Sequence, residues 1–205
     1  MTLLIQYTLV FASVLLLVAL GGAFSEHSGV INLGLEGIMV MGALGGALAM
    51  KYVPVSVGPF GMLAAVVLAS ALFGFLFSCL LGIASVNLNA DQTLVGTAMN
   101  MIATAAATVI VKAINQAENP DNVSATLKYV EQKQFFLIHV GGFELTWFMV
   151  LAVILLIVAF YLMYKTKFGL RLRACGENPH AADSVGINVY KMRWAGVLIS
   201  GILGG

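Results

Sequence analysis

The sequence predicts an all-α, polytopic integral membrane protein, and three observations predict it. Hydrophobic residues make up 60% of the 205 residues and charged residues only 9%, against roughly 25% charged in a typical soluble domain. So few charges cannot cover the surface of a soluble protein of this size. The apolar residues also fall in long runs, and about 20 such residues cross a bilayer as a helix. Finally, six of the ten Lys and Arg are gathered in one stretch, residues 165–193.

Taken in order, residues 3–24 form a first span without a charge. No Lys or Arg precedes that run, as a secretory leader would require, so it reads as a retained span. SEHSGVIN (25–32) is a polar turn. Residues 33–50 form a second span, expected to be irregular at its start because it carries Glu36 and five glycines. A short loop with two prolines (51–59) leads to a third span, 61–84. SVNLNADQT (85–93) is a polar connection in which Asp91 can cap the next helix. A fourth span, 94–111, is dotted with Thr97, Asn100, Thr104 and Thr108. A mixed polar loop (112–145) and a fifth span (146–164) follow. After the basic stretch, a sixth apolar run begins at Trp194 and reaches Gly205, too short to span. The expectation is one transmembrane domain over 1–205, C-terminally incomplete, with at least five transmembrane helices, a truncated sixth and a short cytoplasmic helix.

Positive residues favour the cytoplasm. The 165–193 stretch sets its six Lys and Arg against Glu177 and Asp183. The 112–145 loop sets Lys112, Lys128 and Lys133 against Glu118, Asp121, Glu131 and Glu144. The first is expected inside and the second outside, which puts the N-terminus outside. Lys51, on an outer loop by this count, mildly disagrees.

Several residues stand out chemically. Glu36 is the one carboxylate deep in an apolar span. A charge in the bilayer core costs about 2.5–3.5 kcal/mol on insertion scales, so it must face protein or water. It is either part of a translocation path or a structural carboxylate at the positive end of a broken helix. Asn32, just before the second span, belongs to the same candidate path. Thr97, Asn100, Thr104 and Thr108 share one face of the fourth span. They either line a path for a polar solute or bond among helices. Asn100 offers both donors and an acceptor. Gly42 and Gly46 form a G-x-x-x-G pair suited to close helix packing.

In the basic stretch, Asn178 suits an N-cap, Pro179 a first helical position and Gly186 the residue past the end. A helix this short is marginal alone and normally needs a partner surface. There is no G-x-x-x-x-G-K-[ST], so this chain is not itself an ATPase. No metal cluster or catalytic constellation is evident: His27, His139 and His180 are far apart, and Cys79 and Cys175 are separate. A net charge of +1 gives no field for nucleic acid.

GLRLRACGENPHAADSVGI resembles the cytoplasmic coupling loop of ABC importer permeases, most closely the group that carries branched-chain amino acids, simple sugars and nucleosides. GVINLGLEGIMVMGALGGA, residues 29–47, is similar to an early membrane helix of the nucleoside and sugar members. The resemblance implies that Arg173, Gly176, Glu177, Asn178, Pro179, His180, Ala181, Ala182, Asp183 and Gly186 dock on an ATP-binding subunit. The glutamate usual in the wider double-alanine signature is replaced by His180. It further implies a second permease subunit, an extracytoplasmic solute-binding protein and a bacterial cytoplasmic (inner) membrane with its lipid. ATP and Mg would bind the partner ATPase, and no cofactor this chain. A nucleoside is the expected solute, with a simple sugar or branched-chain amino acid as alternatives within the class. An ATP-independent secondary transporter or channel is the alternative outside it.

Overall fold

The computed structural model describes residues 2–127, 137–140 and 143–205. The chain is almost entirely helical: α1 (Thr2–His27), α2 (Leu35–Tyr52), α3 (Gly58–Gly82), α4 (Gln92–Glu118), α5 (Trp147–Lys165), α6 (Lys167–Glu177), α7 (Pro179–Ser184) and α8 (Val189–Gly204). One turn of π-helix, Ile83–Asn87, follows α3. A two-stranded antiparallel hairpin, β1 (Leu137–Val140) and β2 (Phe143–Thr146), precedes α5. Among the described residues, four segments are long and apolar enough to cross a membrane: Leu4–His27, Gly58–Asn87, Gln92–Glu118 and Trp147–Lys165. The chain is a multi-pass membrane protein. α2, the expected second span, is shorter and carries Glu36 and Lys51; it is held in the same bundle by α3 and α4.

α8 sits between α1 and α3, α2 packs on α3, and α5 packs on the outer side of α1. Val30, Ile38, Phe77, Leu81, Met99, Ala103 and Val197 make the main core, where loop, α2, α3, α4 and α8 converge. Phe24, Ala159, Met163 and Leu172 make a second cluster under α6. In a bilayer, lipid tails are as apolar as leucine, so helix association relies on close packing and not on water exclusion. Small residues accordingly line the seams. A Cβ at Gly45 would lie 2.8 Å from both the Ala69 carbonyl oxygen and the Phe73 ring.

Two boundaries differ from the sequence reading. α4 runs past 111 to Glu118, and a hairpin, not a plain loop, leads into α5. The loop charges Lys128, Glu131 and Lys133 lie outside the described residues. The basic stretch also contains an unexpected helix, α6. Thr166 creates it. Its extended backbone ends α5, and its Oγ1 accepts from Gly169 N at 3.2 Å, capping α6. Gly169 then lies against the backbone of Leu162 and Met163, too close for any side chain.

The loops sort to two ends of the bundle. Residues 28–34, the π-turn and α6–α7 share one end: Gly176 lies against the His27 carbonyl, and Tyr190 bonds Asn87. At the opposite end Lys51 pairs with Glu118 at 2.7 Å. That pair joins the last turn of α2 to the last turn of α4.

Replacing Gly45 by valine should lower the thermal midpoint of the full-length protein in detergent. Overpacking of this kind costs about 1–3 kcal/mol. Leu68→Ala, at a residue 69% exposed, should leave the midpoint unchanged.

Candidate functional site: an exposed capped helix and a broken helix entry

α7 is built by its caps. Asn178 Oδ1 accepts from Ala181 N at 3.1 Å, Pro179 occupies the first turn, and Gly186 follows at φ +81°, where only glycine fits without strain. Asn188 then caps α8, accepting from Lys191 N at 2.9 Å. The turn between α7 and α8 is only residues 185–188, so the two helices are mechanically joined. Toward α5, the whole of α6 intervenes.

The expected docking residues divide by direction. Glu177, Asn178, His180, Ala181 and Asp183 are exposed, as is Val185 at 74%. Pro179 is half-buried. Ala182 is buried against its own chain. Gly176 faces the end of α1, where a Cβ would come 2.5 Å from the His27 carbonyl oxygen. Arg173 stacks over the Tyr164 ring at 5.0 Å, away from α7. Cys175 is fully buried on the inner face of α6; burial pushes its thiol up and Arg193 offsets part of that rise.

The second feature is the entry to α2. Residues 28–34 are not helical, and backbone groups there need partners within the protein. Two side chains of α4 and one of the segment itself supply them. Ile31 N donates to Gln92 Oε1 at 2.7 Å. Asn32 Oδ1 accepts from Gly34 N at 3.1 Å, and its Nδ2 donates to Ser200 Oγ on α8 at 2.9 Å. Asn100 Oδ1 accepts from Gly37 N at 2.7 Å, while its Nδ2 donates to Leu33 O at 3.0 Å. Gly96 allows α4 to come this close: a Cβ there would lie 2.7 Å from Leu33 Cβ and 2.9 Å from Gly34 N.

Glu36 lies in the first turn of α2 and is exposed. Thr97, Thr104 and Thr108 are exposed on α4, each hydroxyl bonded back to a carbonyl three or four residues earlier. Their stripe is therefore intact on an uncovered face, while Asn100 is committed to the backbone of the broken entry. Thr108 also lines a cleft of about 420 Å³ between α2 and α4, with Val40, Ala43, Ala47 and Val111, at the Lys51 end. Gly42 and Gly46 face inward. A Cβ at Gly42 would meet the Gly205 backbone, and one at Gly46 would lie 2.6 Å from Ser70 Oγ.

Three contributors escaped the sequence reading: Gln92, Ser200 and Asn87. Asn87 Oδ1 accepts from Tyr190 Oη at 2.7 Å and from Trp194 Nε1 at 3.0 Å, tying the π-turn to the start of α8. The one signal for them was their place as polar residues at or near helix ends; which groups they bond depends on contacts across 61 to 168 residues.

Residues 4–205 match the family described as the permease component of the branched-chain amino acid transport system. The chain belongs to that family. It is 40% identical over 210 residues to a nucleoside ABC transporter permease protein, NupC, of Lactococcus lactis, covering 96% of this chain and 63% of the relative. It is 39% identical over 212 residues to a guanosine ABC transporter permease protein, NupQ, of Bacillus subtilis, covering 100% of this chain and 65% of the relative. A putative glucose ABC transporter permease protein of Haloferax volcanii is 31% identical over 201 residues, covering 97% of this chain and 59% of the relative. The chain thus spans less than two thirds of the length of these relatives. No solved structure matches it.

Asn100→Leu should destabilise the protein by about 1–3 kcal/mol for each backbone group left unpaired, read as a lowered thermal midpoint. Cys175, in a Cys79→Ala background, should react slowly with a maleimide at neutral pH and rapidly once unfolded, because buried thiols with raised pKa hold little thiolate.

Proposed function

We propose that the full-length protein is the permease subunit of an ATP-driven importer that carries a nucleoside across the bacterial cytoplasmic membrane. The observation that carries this reading is α7. It is a six-residue helix, capped at both ends, exposed along one face and fused by a short turn to α8. Nothing in bundle packing requires an exposed capped helix there, whereas a groove on a cytoplasmic ATP-binding subunit would accept it. The nucleoside and guanosine permeases among the relatives favour that solute over a sugar. The partners in this reading are two ATP-binding subunits, a second permease and an extracytoplasmic solute-binding protein. ATP hydrolysis resides in the ATP-binding subunits, and the end bearing α7 faces the cytoplasm.

The geometry supplies a route for the stroke. Movement of α7 displaces α8, and Ser200 on α8 is bonded to Asn32 in the broken entry. The entry is bonded in turn to Asn100 on α4, which carries the threonine stripe. Displacement of α8 would therefore shift Glu36 and the α4 face together. Asn87 gives α8 a second attachment, to α3. The exposed stripe of Thr97 and Thr104, together with the exposed Glu36 in the first turn of α2, is the surface we assign to the solute path.

The test uses the full-length protein co-expressed with the ATP-binding subunit encoded beside it. The parent should co-purify with that subunit, and Ala181→Arg should reduce recovery by about tenfold, equivalent to ~1.4 kcal/mol. Ala181 is the suitable site because it is exposed, whereas a change at Ala182 would disturb the fold. Cells carrying the complete system should take up labelled guanosine, with Ala181→Arg abolishing uptake. If the parent recovers no ATP-binding subunit and uptake persists without ATP, the protein is an ATP-independent carrier. Uptake of glucose or leucine in place of guanosine would correct the solute alone.

A further inference from the structure

α1 and α5 do not close on each other along their whole length. They leave a groove of about 190 Å³ walled by Leu20, Phe24, Leu156, Ala159, Phe160 and Met163. The walls are apolar, and they belong to two helices long and apolar enough to cross a membrane. At the end carrying α6 its lining changes character, to His27 and Tyr164. His27 is held in place by Nδ1 donating to the Ala23 carbonyl at 2.7 Å.

Above that end lies Arg173. Its guanidinium carbon sits 5.0 Å from the centroid of the Tyr164 ring, and its Nε is buried with no hydrogen-bond partner. Among the described residues the recorded ion pair is Lys51 with Glu118, at the other end of the bundle, so no carboxylate balances this arginine. Lys165 at the end of α5 and Lys167 at the start of α6 are both exposed. An arginine held by stacking, short of an acceptor and set over the mouth of an apolar groove is matched by one chemistry: a phosphate diester carried on an acyl chain. A free anion would make no use of the groove, and an apolar helix would leave the arginine unanswered.

We propose that the α1–α5 groove binds an anionic phospholipid, with an acyl chain along Leu20, Phe24 and Phe160 and the headgroup phosphate on Arg173. Basic residues at a membrane surface attract anionic headgroups in general. Arg173 differs from its neighbours in being fixed over a cavity, so it selects a site and not merely a leaflet. This assignment is independent of which solute the protein carries and needs only that the bundle span a membrane. It also gives Arg173 a partner other than the ATP-binding subunit.

The test is lipid retention by the full-length permease, purified with its partner subunits, stripped of lipid in detergent and then offered phosphatidylglycerol or phosphatidylcholine. Bound lipid is counted by native mass spectrometry. The parent should retain phosphatidylglycerol in preference to phosphatidylcholine, and excess inorganic phosphate should not displace it. Arg173→Gln should lower retention about fivefold, the loss of one basic contact with an anionic headgroup. Arg171→Gln removes the same charge from an exposed position on the same helix and should not. Leu156→Trp, at a groove residue 39% exposed, should block the chain while leaving Arg173 and the thermal midpoint in place. Equal retention in the two arginine variants, no effect of Leu156→Trp, or displacement by phosphate would overturn the site. So would a cross-link from Leu156→Cys to another protein segment, which would show that protein fills the groove.

Discussion

The bundle depends on how it satisfies the backbone where α2 begins. A peptide group that leaves a helix within a membrane has no water to bond, and each unpaired group costs several kcal/mol. Residues 28–34 break the helical pattern at the meeting point of α1, α2, α4 and α8, and they are tolerated because Gln92, Asn32 and Asn100 take up freed donors and acceptors there and in the first turn of α2. These bonds set the approach of α4 to α2, which in turn requires a glycine at position 96. Through Ser200 they also fix the level of α8. One local irregularity thus determines how three helices sit.

That arrangement explains why polar residues are scattered through otherwise apolar spans. Asn100 is a clamp between α4 and the broken entry. The threonines beside it return their hydroxyls to their own helix, which keeps them cheap to bury or expose. Lys51 and Glu118 neutralise each other at the far end. Among the described residues, the basic side chains Lys165, Lys167, Arg171, Arg173, Lys191 and Arg193 lie on α6, on α8 and at the end of α5, with no ion pair among them.

A small helix can transmit force only if it is stiffly joined to something larger. α7 is bounded by Asn178 and Gly186 and reaches α8 across four residues, while α6 separates it from α5 behind the Thr166 corner. The connection is therefore asymmetric. α8 is the stiff arm, doubly anchored by Ser200 to the broken entry and by Tyr190 and Trp194 to Asn87.

Much of this was readable from residue order. Composition alone indicates a membrane protein, because too few charges remain to face water. The caps Asp91, Asn178 and Gly186 were evident because capping is a local interaction between a side chain and backbone two or three residues away. The end-to-end sorting of the loops followed from charge. Other features belong to the tertiary structure. α6 was missed because its amphipathic stripe is short and its charges read as a loop. The division of the expected docking residues, with Ala182, Gly176 and Arg173 turned inward and Ala181 outward, depends on which face of a short helix meets the bundle. Apart from Gly34 beside Asn32, the partners of Asn32, Asn87 and Asn100 lie 63 to 168 residues away. Residue type tells that an amide in a membrane needs partners; only the packing of helices distant in sequence decides which backbone groups it finds.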